Sequence, residues 1–317
     1  MKYRKLGKNG PEVSAIGFGC MGLSHGYGND QSEEEKISVI RKAYEAGCNF
    51  FDTAEAYGPY CNEELLGQAL AGIRNNCVVA TKCGMKNRNG ITVLDGSPQA
   101  IRESLEGSLR RLNTDYIDLY YLHRVDPNTP IEVSAQCMKE LIKEGRIRGW
   151  GLSEVDSETI RRAHAVCPLT AVESEYNMLW RNVESDVLPC LKELGVALVP
   201  FSPLAKGFMT GTITADTQFS DRDSRRRYSR FQPDVIQANT KILNLIKSFA
   251  EQYQVTEAQI SLAWLLSRYE YLVPIPGTTK QYRVIENLKA ANLDMTAEDL
   301  EQLTQLLNKT PVAGQRF

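Results

Sequence analysis

Residues 97–123, SPQAIRESLEGSLRRLNTDYIDLYYLH, hold one helix-then-strand unit of the chain. Ser97-Pro98 places an N-cap before a proline whose φ already suits a first helical position. Leu105, Leu109 and Leu112 then recur at helical spacing and make one apolar face. After Asn113 the pattern changes to Ile117-Asp118-Leu119-Tyr120-Tyr121-Leu122, a short apolar run that reads as a β-strand ending at His123.

Units of this kind extend in both directions. Strands are expected near 16–19, 49–52, 78–81, 117–122, 147–151, 170–174, 196–200 and 272–275. Helix-period stretches lie between them: Leu65, Leu66, Ala69 and Leu70 share a face. Ser32 with Glu35 and Thr256 with Gln259 form capping boxes, and Thr129-Pro130 repeats the cap-and-proline start. Before the first strand, residues 2–6 and 12–15 form a hairpin signalled by Asn9-Gly10, two residues that accept positive φ. Eight strands alternating with helices predict an α/β fold, a (β/α)₈ TIM barrel with an N-terminal β-hairpin and a C-terminal helix. No linker or composition shift divides the chain, so residues 1–317 are expected to form a single barrel domain.

Composition narrows the function. The 317 residues are 42% hydrophobic and 24% charged, with a net charge of -2. There is no overall basic field to recruit nucleic acid or an anionic membrane. No segment approaches ~18 consecutive apolar residues, and the start lacks a signal-peptide run. Eight cysteines without a CxxC or a pairing rhythm fit free thiols in a cytoplasmic protein. His25, His123 and His164 have no metal-ligand spacing, so no metal site is expected.

In a barrel of this kind reactive groups gather at the C-terminal strand ends. Asp52 ends the second strand, Tyr57 lies in the loop after it, Lys82 ends the third strand and His123 the fourth. Each has an ordinary structural reading, as a turn acid, a loop aromatic, a paired lysine or a core histidine. Their convergence on adjacent strands makes them acid–base equipment. Gly17-Phe18-Gly19-Cys20-Met21-Gly22 matches GxGxxG but is not followed by a helix that could receive a pyrophosphate. Its glycines are expected instead to let the first loop pass close to a ligand at the barrel mouth. Residues 205–234, with Asp221-Arg222-Asp223-Ser224-Arg225-Arg226-Arg227, are either a solvated charge run or a flap over cofactor or substrate.

The chain resembles the aldo-keto reductase family from the Leu6 region to about Asn287. The matching pieces are Phe51-Asp52-Thr53-Ala54-Glu55-Ala56-Tyr57-Gly58 with Asn62-Glu63-Glu64-Leu65-Leu66-Gly67, then Lys82, Leu122-His123-Arg124, Gly151-Leu152-Ser153, Phe201-Ser202-Pro203-Leu204 and Ile275-Pro276-Gly277-Thr278-Thr279-Lys280. The resemblance implies a cytoplasmic NADPH-dependent oxidoreductase that reduces aldehydes and ketones by hydride transfer. Asp52, Tyr57, Lys82 and His123 would be its catalytic set, with Tyr57 giving the proton. Lys82 would favour the phenolate, Asp52 would hold Lys82, and His123 would orient the carbonyl.

It also implies a dinucleotide laid across the barrel mouth. Gly19, Met21 and Asp52 would border it, and Ser153 and Glu173 would meet the nicotinamide carboxamide. Phe201 would stack on the ring, while Ser202, Pro203, Leu204, Lys206 and Gly207 line the pyrophosphate. Thr278, Lys280 and Arg283 would hold the adenosine 2′-phosphate, with Glu286 and Asn287 on the adenine, and Gly277 and Thr279 would also border the cofactor. Glu154 replaces the usual asparagine, Glu173 the usual glutamine and Phe201 a frequent tyrosine. A carboxylate at 173 accepts from the carboxamide NH₂ but cannot donate to its carbonyl.

The expected substrate is a small carbonyl compound, apolar or aromatic given Tyr27, Trp180, Tyr228 and Phe231. It would be selected by residues 21–27, 57–61, 123–128 and 205–234. Two other readings compete: a regulatory subunit with the reductase fold, like potassium-channel β-subunits, and a cofactor-free isomerase or aldolase using Lys82 as a Schiff-base nucleophile.

Overall fold

The hairpin at the start of the chain consists of β1 (Tyr3–Lys5) and β2 (Glu12–Ser14), paired antiparallel with Tyr3 opposite Ser14. The computed structural model describes residues 1–88 and 91–316. The turn does not use Asn9-Gly10 as expected. Positive φ falls on Gly7, at 73°, and the Leu6 N–H donates to Pro11 O at 2.9 Å. Gly10 is needed for room, because a Cβ there would lie 1.9 Å from Leu6 O.

The barrel strands are β3 (Phe18–Gly19), β4 (Phe50–Asp52) and β5 (Val78–Cys83). After a side hairpin of β6 (Met85–Arg88) and β7 (Ile91–Leu94) come β8 (Leu119–Leu122), β9 (Trp150–Ser153), β10 (Ala171–Glu175) and β11 (Ala197–Phe201). These seven are parallel in the order β3-β4-β5-β8-β9-β10-β11. The expected 147–151 strand lies further along, and Ile147 touches Ile117 only as an isolated bridge. Ser153 is therefore a strand residue.

Residues 272–276 close the barrel without forming a full ladder. Val273 N–H donates to Leu198 O at 3.0 Å and Ile275 N–H to Pro200 O at 3.1 Å. On the other side Gly17 N–H reaches Pro274 O at 2.9 Å. Pro274 and Pro276 have no N–H to return, so the seam toward β3 is bonded in one direction only.

The helices are α1 (Glu33–Glu45), α2 (Cys61–Ala69), α3 (Pro98–Leu112), α4 (Ile131–Lys143), α5 (Ser157–Val166) and α6 (Val187–Leu194). They continue as α7 (Pro233–Tyr253), α8 (Glu257–Ser267), α9 (Gln281–Lys289) and the C-terminal α10 (Ala297–Lys309). The boxes at Ser32 and Thr256 and the Ser97 cap form as expected. At α4 the start is shifted: Pro130 is the cap, and the Thr129 hydroxyl donates to Asp126 Oδ2 at 2.7 Å instead. Among the described residues no helix is long and apolar enough to cross a membrane, and the cysteines are free.

Period-two alternation explains where the site sits. Phe50, Val78, Ala80, Leu119, Tyr121, Ala171, Ala197, Val199, Val273 and Ile275 fill the barrel together with Leu6 and Val13 of the hairpin. Phe51, Val79, Tyr120, Leu122, Val172 and Leu198 face the helices. Two residues on from the inward positions, the same faces carry Asp52, Lys82, His123 and Glu173. The reactive layer is the top layer of the core. Gly151 makes room below it, since a Cβ there would meet the Tyr121 ring at 2.5 Å.

Candidate active site

Lys82 is fully buried, and its Nζ contacts Asp52 Oδ1 directly. It also donates to Thr53 O at 2.9 Å and lies 3.3 Å from the Tyr57 hydroxyl. The Tyr57 and His123 rings meet edge to face with centroids 5.7 Å apart, and His25 stacks on Tyr57 at 6.0 Å. The four residues expected to converge therefore do so. The loop after β4 is held by Asn62, which accepts from the Thr53 hydroxyl at 2.7 Å and donates to Cys20 O at 3.0 Å. Glu63 accepts from the Thr81 hydroxyl at 2.6 Å and pairs with Arg111. The Asn62-Glu63 part of the segment thus ties the first loop, β4, β5 and α3 together beneath Tyr57.

Electrostatics give each group a definite protonation state. Burial alone would lower the Lys82 pKa, but its direct partner Asp52, the foremost of the acidic groups around it, outweighs burial and holds the ammonium charged. Although Tyr57 is partly exposed to the cleft, withdrawal from water raises its pKa above that of an ordinary phenol, against the pull of Lys82. The expectation of a phenol tuned downward is thus corrected. At neutral pH Tyr57 keeps its proton, with the Lys82 ammonium 3.3 Å from its hydroxyl. Burial, then Lys82, Arg124 and His25, push His123 well below the usual imidazole range, so its ring is neutral. Its buried Nδ1 has no hydrogen-bond partner.

These groups border a cleft of about 850 Å³. Gly19, Met21, Asp52, Tyr57 and His123 line it, with Ser153, Glu173 and Phe201 beyond them. Ser202, Pro203, Leu204, Lys206 and Gly207 continue the wall, and Gly277, Thr278, Thr279, Arg283, Glu286 and Asn287 complete it. Lys280 does not line the cleft; it is the exposed N-cap residue of α9. Ser202, Ala205 and Lys206 adopt left-handed φ of 47°, 49° and 57°, followed by Gly207 at 98°. Three non-glycine residues in that region mark a loop shaped by its surroundings.

The chain matches the model of the Aldo/keto reductase family over residues 15–308. It is 41% identical over 315 residues to a protein of Glycine max named probable aldo-keto reductase 1, covering 99% of this chain and 91% of that one. The chain belongs to the aldo/keto reductase family. Among solved structures, a glycerol dehydrogenase from Gluconobacter oxydans superposes with a TM-score of 0.89 at 26% identity, covering 99% of this chain and 97% of that one. The holo form of an aldo-keto reductase from Bacillus halodurans gives 0.78 at 28%, covering 100% of this chain and 99% of that one. Family membership makes this chain an oxidoreductase of small-molecule carbonyl compounds, in a family that generally uses NAD(P)H.

The charged 205–234 stretch lines the cleft through Lys206, Gly207, Thr210, Thr212, Ile213 and Arg225 and also packs against the first loop. Ser224 N–H donates to Gly26 O at 2.9 Å, Asp223 bridges Tyr27, and the Arg225 guanidinium lies 5.0 Å from the Tyr27 ring centroid. Arg222–Asp30 and Arg226–Asp221 remain exposed surface pairs. Of the four aromatics read as substrate contacts, only Tyr27 lines the cleft. Phe231 is buried against Phe219, Trp180 lies under Arg316, and Tyr228 faces Lys206. Met85, Lys86 and Thr92 of the β6–β7 hairpin line the cleft instead. Sequence reading does not anticipate that hairpin, although Asn89-Gly90 between its strands carries the signal read at residues 9–10.

Two arginines have contacts that the sequence reading does not assign. Arg124 donates to Ser153 Oγ at 2.9 Å and to His123 O at 2.6 Å, linking two site residues. Arg316, near the chain's end, donates to the buried Glu175 at 2.7 Å, pairs with Glu154 at 2.5 Å and lies 6.0 Å from the Phe201 ring centroid. Burial would raise the Glu175 pKa, but Lys206, Arg316 and Arg230 outweigh it and keep it ionised. Glu154, at φ 57°, serves this network, with Oε1 accepting from Glu175 N–H at 2.8 Å. Arg316→Ala is expected to destabilise the fold by about 2 kcal/mol, the scale of a hydrogen bond to a charged group. Urea unfolding measures it, and an unchanged midpoint would show that the tail contact is not made in solution.

Proposed function

We propose that the protein is an NADPH-dependent reductase of aldehydes and ketones in which Tyr57 gives the proton. One arrangement carries this reading: a buried ammonium linked to Asp52 on one side and lying 3.3 Å from the Tyr57 hydroxyl on the other, beside a neutral His123 at a cleft. When bound, the cofactor supplies the hydride. Its fit is supported by the serine, hydroxyl and cation donors along the cleft and by the left-handed loop at 202–207.

Tyr57 holds its proton at neutral pH and releases it as charge grows on the carbonyl oxygen. Lys82 offsets the resulting phenolate. Asp52 positions Lys82. His123, being neutral, can offer a single N–H to the carbonyl oxygen without competing as an acid. The substrate side joins Tyr27, Tyr57, Tyr60 and Met85 with Glu55 and Lys86, which suits a small aromatic or apolar carbonyl with a polar end.

The Schiff-base alternative is disfavoured by Lys82 itself. A fully buried ammonium engaged by Asp52, Thr53 O and Tyr57 has no free lone pair to attack a carbonyl. Steady-state reduction of a panel of aldehydes and ketones, followed by loss of NADPH absorbance, tests the function. Inactivity across the panel would favour the regulatory reading.

Preference for NADPH rests on Arg283, in the first turn of α9, and Thr278 shortly before it, both lining the cleft. A guanidinium and a hydroxyl suit a dianionic 2′-phosphate. Arg283→Ala is expected to lower kcat/KM with NADPH by roughly 10- to 100-fold and to leave NADH nearly unchanged. Equal losses with both cofactors would refute the phosphate site.

A further inference from the structure

Lys82 has three N–H donors and four oxygen neighbours. Asp52 Oδ1 and Thr53 O take two donors, and the third faces both the Tyr57 hydroxyl and Glu173 Oε2, each at 3.3 Å. Glu173 is buried, and Oε2 makes no hydrogen bond there. Its register partners are Ser153 on β9 and Val199 on β11. The titratable groups that face it are Asp52 from β4, Tyr57 from the following loop, Lys82 from β5, Tyr121 from β8 and Arg124 just beyond β8. Two carboxylates beside one buried ammonium do not both ionise readily. Asp52 makes the direct pair, so the proton belongs on Glu173.

We propose that Glu173 is a proton-holding positioning residue. As a neutral acid it leaves the third Lys82 N–H to Tyr57 and offers an O–H to the nicotinamide carboxamide; its ionisation at alkaline pH, with the proton lost to solvent, withdraws both. The inference rests on the reductase reading. A carboxylic acid donates through O–H and accepts through C=O, the two capacities of the glutamine that family resemblance places here. The mismatch expected from the sequence disappears in the neutral form. Burial, reinforced by Asp52 and opposed by Lys82 and Arg124, pushes the Glu173 carboxyl up to about 8.

The test compares wild type with Glu173→Gln, which fills nearly the same volume. NADPH affinity is read by tryptophan fluorescence from about pH 6 to about pH 9.5, spanning the shifted titration. Wild-type affinity is expected to weaken by roughly tenfold across that range, the scale of one hydrogen bond, while the variant keeps its affinity throughout. The alkaline limb of kcat/KM near the same pH disappears in the variant. Thermal unfolding without cofactor supplies an independent reading. An acid whose folded pKa is raised stabilises the fold below its unfolded pKa and loses that contribution as pH rises through the folded one. Wild-type Tm therefore falls relative to Glu173→Gln between the two values.

Superimposable pH curves for the two proteins, in affinity and in Tm, would overturn the proposal while leaving the reductase reading intact. Absence of NADPH binding by either protein at every pH would overturn both.

Discussion

Tyr57→Phe is expected to lower carbonyl reduction by roughly 100- to 10,000-fold, the usual contribution of a positioned general acid, while NADPH affinity stays unchanged. The substitution removes one oxygen and keeps the ring that meets His123 edge to face and stacks on His25. Packing and the cleft wall are preserved, so the loss falls on proton transfer. Burial holds the phenol above its ordinary pKa, and the wild-type residue is therefore protonated throughout the neutral range. Removing it leaves the third Lys82 N–H to Glu173 Oε2 alone and takes the hydroxyl proton away from the rim beside His123. Turnover and cofactor titration on one preparation decide the outcome. Wild-type turnover in the variant would remove Tyr57 as proton donor.

Lys82→Met is expected to be the most destabilising single change at the rim. It leaves the buried Asp52 carboxylate without its cation, which costs about 3–5 kcal/mol and lowers Tm by about 10 °C. Activity falls as well, because nothing then offsets the phenolate. The double variant Asp52→Asn/Lys82→Met is expected to recover a large part of the stability but none of the activity. Removing both charges leaves no orphaned ion in the core, while the Tyr57 phenolate still lacks its counter-charge. Non-additivity of this kind is the signature of a direct pair. If the double variant were as unstable as the sum of the singles, the ion pair would not be the interaction that holds Lys82.

The barrel was legible because its signals are local. Caps at Ser32, Ser97 and Thr256 form from neighbouring residues, and inward alternation along β5 and β8 survives any detail of packing. Errors fall where a local signal competes with its surroundings. Asn9-Gly10 has the chemistry of a turn, yet the chain turns at Gly7. Thr129 has the chemistry of a cap, yet Asp126 takes its hydroxyl. The eighth strand was expected, and prolines 274 and 276 thin its ladder toward β3 to one direction.

For the site, the chain's residue order was enough to bring Asp52, Tyr57, Lys82 and His123 together, because consecutive parallel strands place their ends side by side whatever else the fold does. Long-range partners carry no such signal. Arg316 reaches Glu175 from 141 positions away, and three of the four aromatics read as substrate contacts pack elsewhere. Protonation is likewise a property of assembly. The tetrad could be named from sequence, but that Tyr57 keeps its proton, that His123 is neutral and that Glu173 is a weak acid follow from burial and from which charges share Lys82, distances that exist only once the barrel has closed.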